Sequence, residues 1–218
     1  MSPGHRVTVM QMGDAALLLR WTGLGRKGDP AAIASTYRAI RSARIPGVID
    51  VVPAPASVMV RFDPLRVTEG ELKTRLPQFA ASRAGVRSPR KHRVALRYGG
   101  EEGPDIDEVA DRLGLSVDEV IRRHSTATYT VLATGFSPGF VYLGPVVASL
   151  RLARREDPRQ AVPSGSVALA DAQTGIYGVR SGGGWWLIGR AAVPTFRADR
   201  RPPTPFEIGD QVEFEAEP

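Results

Sequence analysis

In the first part of the chain, apolar positions switch twice between the period of a strand and the period of a helix. Val7-Thr8-Val9-Met10 and Ala15-Ala16-Leu17-Leu18-Leu19-Arg20-Trp21 read as two short strands around a turn at Gly13-Asp14. Ile33, Tyr37 and Ile40 follow at i, i+4, i+7 behind Pro30, a residue suited to a first helical position. This predicts a helix from Pro30 to Arg44, ended by Pro46-Gly47. A second strand pair is expected at Val48–Val52 and Ser57–Phe62, joined by Pro53-Ala54-Pro55-Ala56. Leu72, Leu76 and Phe79 then mark a helix from Thr68 to Ser82, with Pro77 predicting a break or kink. The order ββαββα implies a small α+β domain with both helices on one face of a four-stranded sheet.

The segment Arg83–Arg93 has no apolar period and carries Gly85, Ser88 and Pro89 among basic residues, so it reads as a linker. The expected division is a small α+β domain at 1–85, a linker at 86–93, and a second domain at 94–218. That domain opens with a strand at Arg93–Tyr98. Two short helices follow, each announced by a capping box, Asp105 with Glu108 and Ser116 with Glu119. Gly114 is expected to close the first as its C′ residue, and Val117, Val120 and Ile121 to form the buried face of the second. Beyond His124 the pattern is mainly β. Tyr129–Gly135, Val167–Ala170, Ile176–Val179, Trp185–Ile188 and Val212–Phe214 are strand candidates separated by Gly/Pro turns, as in a barrel or a sandwich.

Composition narrows the chemistry. The chain has no cysteine, which removes disulfides, thiolate metal sites and cysteine nucleophiles. No run of about 18 apolar residues is present, and the first residues lack an apolar leader region, so a cytoplasmic protein with no membrane partner is expected. The net charge of +6 rests on scattered arginines. No aromatics interleave with the cluster Arg83, Arg87, Arg90, Lys91 and Arg93, and no helix-turn-helix or zinc-finger spacing occurs, so nucleic acid is not the expected partner. His5, His92 and His124 offer neither a metal-binding pair nor a base beside a nucleophile elbow. His124, near a helix end, reads as a cap or a packed residue. The Gly-Lys-Ser/Thr ending of a phosphate loop is missing.

What remains is the stretch from Thr134 to Arg190. Gly135-Phe136-Ser137-Pro138-Gly139-Phe140-Val141-Tyr142-Leu143-Gly144 mixes glycines, which allow close backbone approach, with aromatics that can wall a pocket or pack in the core. Ser164 and Ser166 place two hydroxyls in a tight loop, able to donate to an oxyanion or to cap their own turn. Gln173-Thr174-Gly175-Ile176-Tyr177 and Ser181-Gly182-Gly183-Gly184-Trp185 complete the set, the glycines exposing N–H groups suited to anion oxygens. Arg154, Arg155, Arg159 and Arg190 could each pair with an acidic ligand or stand as surface arginines.

In this order, Gly13-Asp14-Ala15-Ala16-Leu17, the Gly135–Gly144 motif, Val162-Pro163-Ser164-Gly165-Ser166-Val167, Gln173–Tyr177 with Gly183–Arg190, and Gly209-Asp210-Gln211-Val212 resemble one family. It contains KipI, the B subunit of bacterial 5-oxoprolinase, and proteins named allophanate hydrolase subunit 1. The resemblance covers nearly the whole chain. It implies a cyclophilin-like β-barrel as the second domain, and a partner of the KipA type (the C subunit of 5-oxoprolinase, or allophanate hydrolase subunit 2). It further implies a small amide substrate and ATP bound by the complex. The first candidate reaction is the ATP-dependent hydrolysis of 5-oxoproline to glutamate. The alternative it allows is a regulatory protein that inhibits a sensor histidine kinase. No attached biotin is expected, since no Met-Lys-Met site occurs. Under the enzyme reading, Phe136, Pro138, Phe140, Tyr142, Gln173, Thr174 and Tyr177 would wall the site. Ser164, Ser166, Gly183, Gly184 and Arg190 would hold polar groups of the substrate, and no catalytic residue or metal ligand is assigned. The chain departs from the family's usual pattern at Asp171, where glycine is common, and at Gly178, Gly182, Ala191 and Ala192.

Overall fold

Strand alternation in the first part resolves into β1 (Arg6–Gln11), β2 (Ala16–Thr22), β3 (Val48–Ala54) and β4 (Ser57–Phe62). They pair antiparallel in the order β1-β2-β4-β3. The computed structural model describes residues 6–22, 29–81 and 87–217. The chain divides into two compact units, Met1–Ser88 and Pro89–Pro218. In the first, Leu17, Leu19, Trp21, Val58, Val60 and Phe62 are buried, while the residues alternating with them are not. One face of the sheet is therefore covered, and α1 (Pro30–Ser42) and α2 (Glu69–Ala81) both pack on it.

The two helices start by different devices. Asp29 caps α1, its carboxylate accepting from the Ala31 and Ala32 N–H groups at 3.0 and 3.2 Å. Thr68 and Glu71 form a reciprocal capping box at α2. Asp29→Ala is expected to cost about 1 kcal/mol, read as a slightly lower denaturation midpoint; an unchanged midpoint would remove the cap from the stability of this unit. Leu72 and Leu76 are fully buried, and α2 runs on through Pro77. The carbonyl that Pro77 leaves without a helical donor belongs to Lys73, whose exposed position lets water replace the bond. Ser82 and Arg83, the expected helix end and linker start, lie outside the described residues.

The second unit is a closed barrel in the order β10-β7-β6-β13-β5-β12-β9. Its strands are β5 (Lys91–Tyr98), β6 (Thr128–Thr134), β7 (Val141–Gly144), β9 (Ser166–Ala170), β10 (Gln173–Ile176), β12 (Trp186–Ala191) and β13 (Gln211–Glu217). β5 begins at Lys91, within the segment expected as linker, because it pairs in parallel with β13 from Gln211 onward. β8 (Arg159–Val162) and β11 (Ser181–Gly183) form a separate two-stranded sheet.

Between β5 and β6 lie α3 (Ile106–Leu113) and α4 (Val117–Ser125). Gly114 closes α3 in the left-handed conformation, φ 64°, and the Ser116 hydroxyl accepts from the Glu119 N–H at the start of α4. The capping box expected at Asp105 does not form: the Asp105 side chain makes no cap bond and turns to the barrel instead. The strand expected at Ile176–Val179 also shifts, since β10 runs from Gln173 and ends at Ile176. Beyond Tyr177, Gly178 packs directly against the backbone of Pro138 and Gly139, which takes the chain out of the ladder.

Candidate functional site

β9 is buried at every position, so its two faces serve two different cores. Val167 and Leu169 join the barrel interior with Val141, Leu143, Ile176, Trp186 and Ile188. Ala168 and Ala170 face outward into a second cluster with Phe140, Val162, Tyr177, Trp185 and Leu187, and Tyr142 packs against it. This outer cluster is an aromatic box. Phe140 lies 4.6 Å from Tyr142, 4.8 Å from Tyr177 and 5.5 Å from Trp185 between ring centroids, the last two edge-to-face. Gly175 makes the box possible: a Cβ there would sit 3.0 Å from Phe140 and 3.1 Å from Trp185. A Cβ on Gly183 would strike the Tyr177 hydroxyl.

The box opens as a cavity of about 120 Å³ lined by Phe136, Phe140, Tyr142, Arg154, Tyr177, Gly183, Gly184 and Trp185. A cavity of about 150 Å³ holds a benzene molecule, so this one is on the scale of a small ring. Phe136 stands over it at φ 72°, 69% exposed and edge-on to Phe140. A non-glycine residue held in the left-handed region is strained, and such strain gathers at ligand sites. Burial pushes the Tyr177 phenol up to about 12, aided by Tyr142 and opposed by Arg154 and Arg159. Burial likewise raises Tyr142, with Arg154 opposing. Both phenols are therefore protonated donors at neutral pH.

Of the residues expected at the site, Phe136, Phe140, Tyr142, Tyr177, Gly183 and Gly184 meet at this cavity. Pro138 lines an adjacent surface depression with Phe136 and Phe196. The others stand elsewhere. Thr174 lies inside the barrel, fully buried, with its hydroxyl 2.9 Å from His124 Nε2. Strand alternation is the reason: Thr174 and Ile176 point inward, so Gly175 between them takes the outer face. Gln173 is half-buried at the start of β10, outside the cavity lining. The Ser164 hydroxyl donates to the Gly178 carbonyl at 2.7 Å, closing its own loop. Ser166 is buried opposite Arg190 in the β9–β12 ladder, and Arg190 pairs with Glu102.

Two residues complete the site that were not among those expected to line it. Trp185 forms its back wall, and Arg154 is the one cation among the lining residues. The guanidinium lies 5.8 Å from the Trp185 ring and 3.4 Å from the Asp171 carboxylate. It also lines a larger cleft of about 550 Å³ with Arg112, Arg151, Arg155 and Trp186. Arg155 and Arg159 are held by buried Asp105, at 3.3 and 2.5 Å. They tie down the segment that crosses the box, and the Arg155 N–H donates to the Gly184 carbonyl. The Trp185-Trp186 pair beside three glycines is a visible signal for the first; nothing in the spacing singles out Arg154 from its three neighbours in kind. Among the described residues no group of three or more acidic or histidine side chains could hold a metal, and no helix is long and apolar enough to cross a membrane.

A closed barrel, in a chain that also carries an α+β unit, agrees with the architecture the resemblance implies. Residues 7–206 match the model of the carboxyltransferase domain, subdomains C and D, and the chain belongs to that family. The B subunit of 5-oxoprolinase from Bacillus subtilis (strain 168) is 33% identical over 96% of this chain and 92% of its own length. The protein of the same name from Escherichia coli O157:H7 is 34% identical over 96% of both chains. The solved structure of the protein TTHA0988 superposes with a TM-score of 0.84 at 37% identity, over 93% of this chain. This chain spans only 40% of that protein's length.

Proposed function

We propose that the chain is one subunit of an ATP-dependent hydrolase for a small cyclic amide, 5-oxoproline opened to glutamate, acting with a KipA-like partner. The observation that carries this reading is the small aromatic cavity with protonated phenols and a single arginine at its rim. Opening the lactam breaks its C–N bond, gives the freed nitrogen a proton and delivers water's oxygen to the new carboxylate, so negative charge gathers on the lactam carbonyl oxygen on the way. Tyr142 and Tyr177 supply O–H donors for that oxygen, and the flat walls of Phe140 and Trp185 orient the ring. The names borne by the relatives from Bacillus subtilis and Escherichia coli support the same substrate. The reading assigns ATP to the complex of the two subunits.

Co-expression tests this. The chain with a KipA-like protein is expected to form a stable complex that releases phosphate from ATP only when 5-oxoproline is present. A lone chain with no complex and no lactam-stimulated turnover would sink the proposal. In the complex, Tyr177→Phe is expected to lower kcat by about a hundredfold with the fold intact by circular dichroism; unchanged kinetics would take Tyr177 out of the site.

A further inference from the structure

Of Arg154, Arg155, Arg159 and Arg190, only Arg154 lines the aromatic box, and the other three have fixed employment. Arg155 and Arg159 hold the buried Asp105 carboxylate, and Arg190 pairs with Glu102. Arg154 differs. Its side chain is 59% exposed, and its carboxylate partner, Asp171, is 61% exposed at 3.4 Å. Ion pairs this open are worth little, about 0–1 kcal/mol, so another carboxylate can displace Asp171.

The backbone keeps the pair together all the same. Asp171 occupies the two-residue turn between β9 and β10, at φ 53°. Its N–H donates to the Leu152 carbonyl at 2.7 Å, in a lone β-bridge two residues before Arg154. The carboxylate is thus anchored beside the guanidinium while the salt contact itself is loose. Any small ligand in the box that ends in a carboxylate meets Arg154 at the rim, and meets Asp171 as a rival for it.

Resting on the 5-oxoproline reading, we infer that Arg154 receives the ligand's carboxylate and that Asp171 is a built-in competitor that weakens and tunes this contact. Arg154 is then a specificity residue that distinguishes the lactam acid from its neutral amide. The device favours acids that reach both the box and the rim over free carboxylates, which gain nothing from the aromatic walls. Asp171 also keeps the guanidinium aimed at the rim when no ligand is bound.

The test uses the purified full chain, alone and with its partner, titrated calorimetrically with 5-oxoproline and with its uncharged carboxamide. Wild type is expected to prefer the acid. Asp171→Asn, a residue that tolerates the left-handed turn, is expected to bind the acid about fivefold tighter with the amide unchanged. Arg154→Gln is expected to lose about tenfold for the acid and to bind both ligands alike. Equal binding of acid and amide by wild type and both variants would overturn the role of the pair while leaving the lactam reading in place. Binding of neither lactam by the chain or by the complex would overturn both.

Discussion

Asp105→Ala is expected to destabilise the barrel unit by about 3–5 kcal/mol, a large effect for a single truncation. The carboxylate is 4% exposed and fully used. One oxygen accepts from the Leu187 N–H at 2.7 Å; the other accepts from Arg159 at 2.5 Å and Arg155 at 3.3 Å. Truncation would leave a buried N–H without a partner, Arg159 without its carboxylate, and Arg155 with Glu108 alone at 3.9 Å. Because Arg155 and Arg159 lie on the segment that crosses the aromatic box, the loss also loosens the wall that carries Arg154. Asp105→Asn retains an acceptor for Leu187 but not the charge, and is expected to fall between the two. Chemical denaturation of the full chain measures it: a midpoint for Asp105→Ala equal to wild type would show that the carboxylate does not hold this segment.

The second large effect is acid sensitivity seated in His124. This residue of α4 is fully buried among Tyr98, Tyr129 and Phe214, with Nδ1 2.7 Å from the Tyr98 hydroxyl and Nε2 2.9 Å from Thr174. A neutral imidazole suits both contacts, one ring nitrogen donating and the other accepting. Burial pulls its pKa down to about 3. The folded chain therefore keeps the ring neutral while the unfolded chain protonates it below about 6.5. Stability is complete above that pH and is lost as pH falls from about 6.5 toward 3, on the order of 3 kcal/mol by pH 4. Carboxylates titrate in the same window, so the comparison is with His124→Gln, whose stability is expected to be lower at pH 7 but flatter with acid. Parallel pH profiles for the two proteins would refute the assignment.

These two residues also show where local pattern stops informing. Asp105 sits three residues before Glu108, as a capping box requires, yet its side chain serves Leu187, Arg155 and Arg159. Partners 50 to 82 positions away leave no trace in local spacing. His124 is legible as a packed residue near a helix end, but its link to Thr174 is not. In sequence the Thr174 hydroxyl looks available to a ligand, because a four-residue strand carries too little alternation to show which side is the interior.

Sequence alone determined the ββαββα order, the two short helices, the β-rich second half and the aromatic–glycine stretch on which the site is built. These follow from hydrophobic period, turn residues and helix ends, all set by neighbours within a few positions. It also sufficed for the family resemblance. Tertiary structure decided which half of that stretch faces out. In β9 both faces are apolar and buried, so composition cannot tell the barrel interior at Val167 and Leu169 from the outer box at Ala168 and Ala170. It also decided that Arg154 alone among the neighbouring arginines stands at the cavity with an exposed, displaceable partner. The physical reason is the same in each case: barrel closure brings distant strands together, and only then do burial and charge pairing assign each side chain its side.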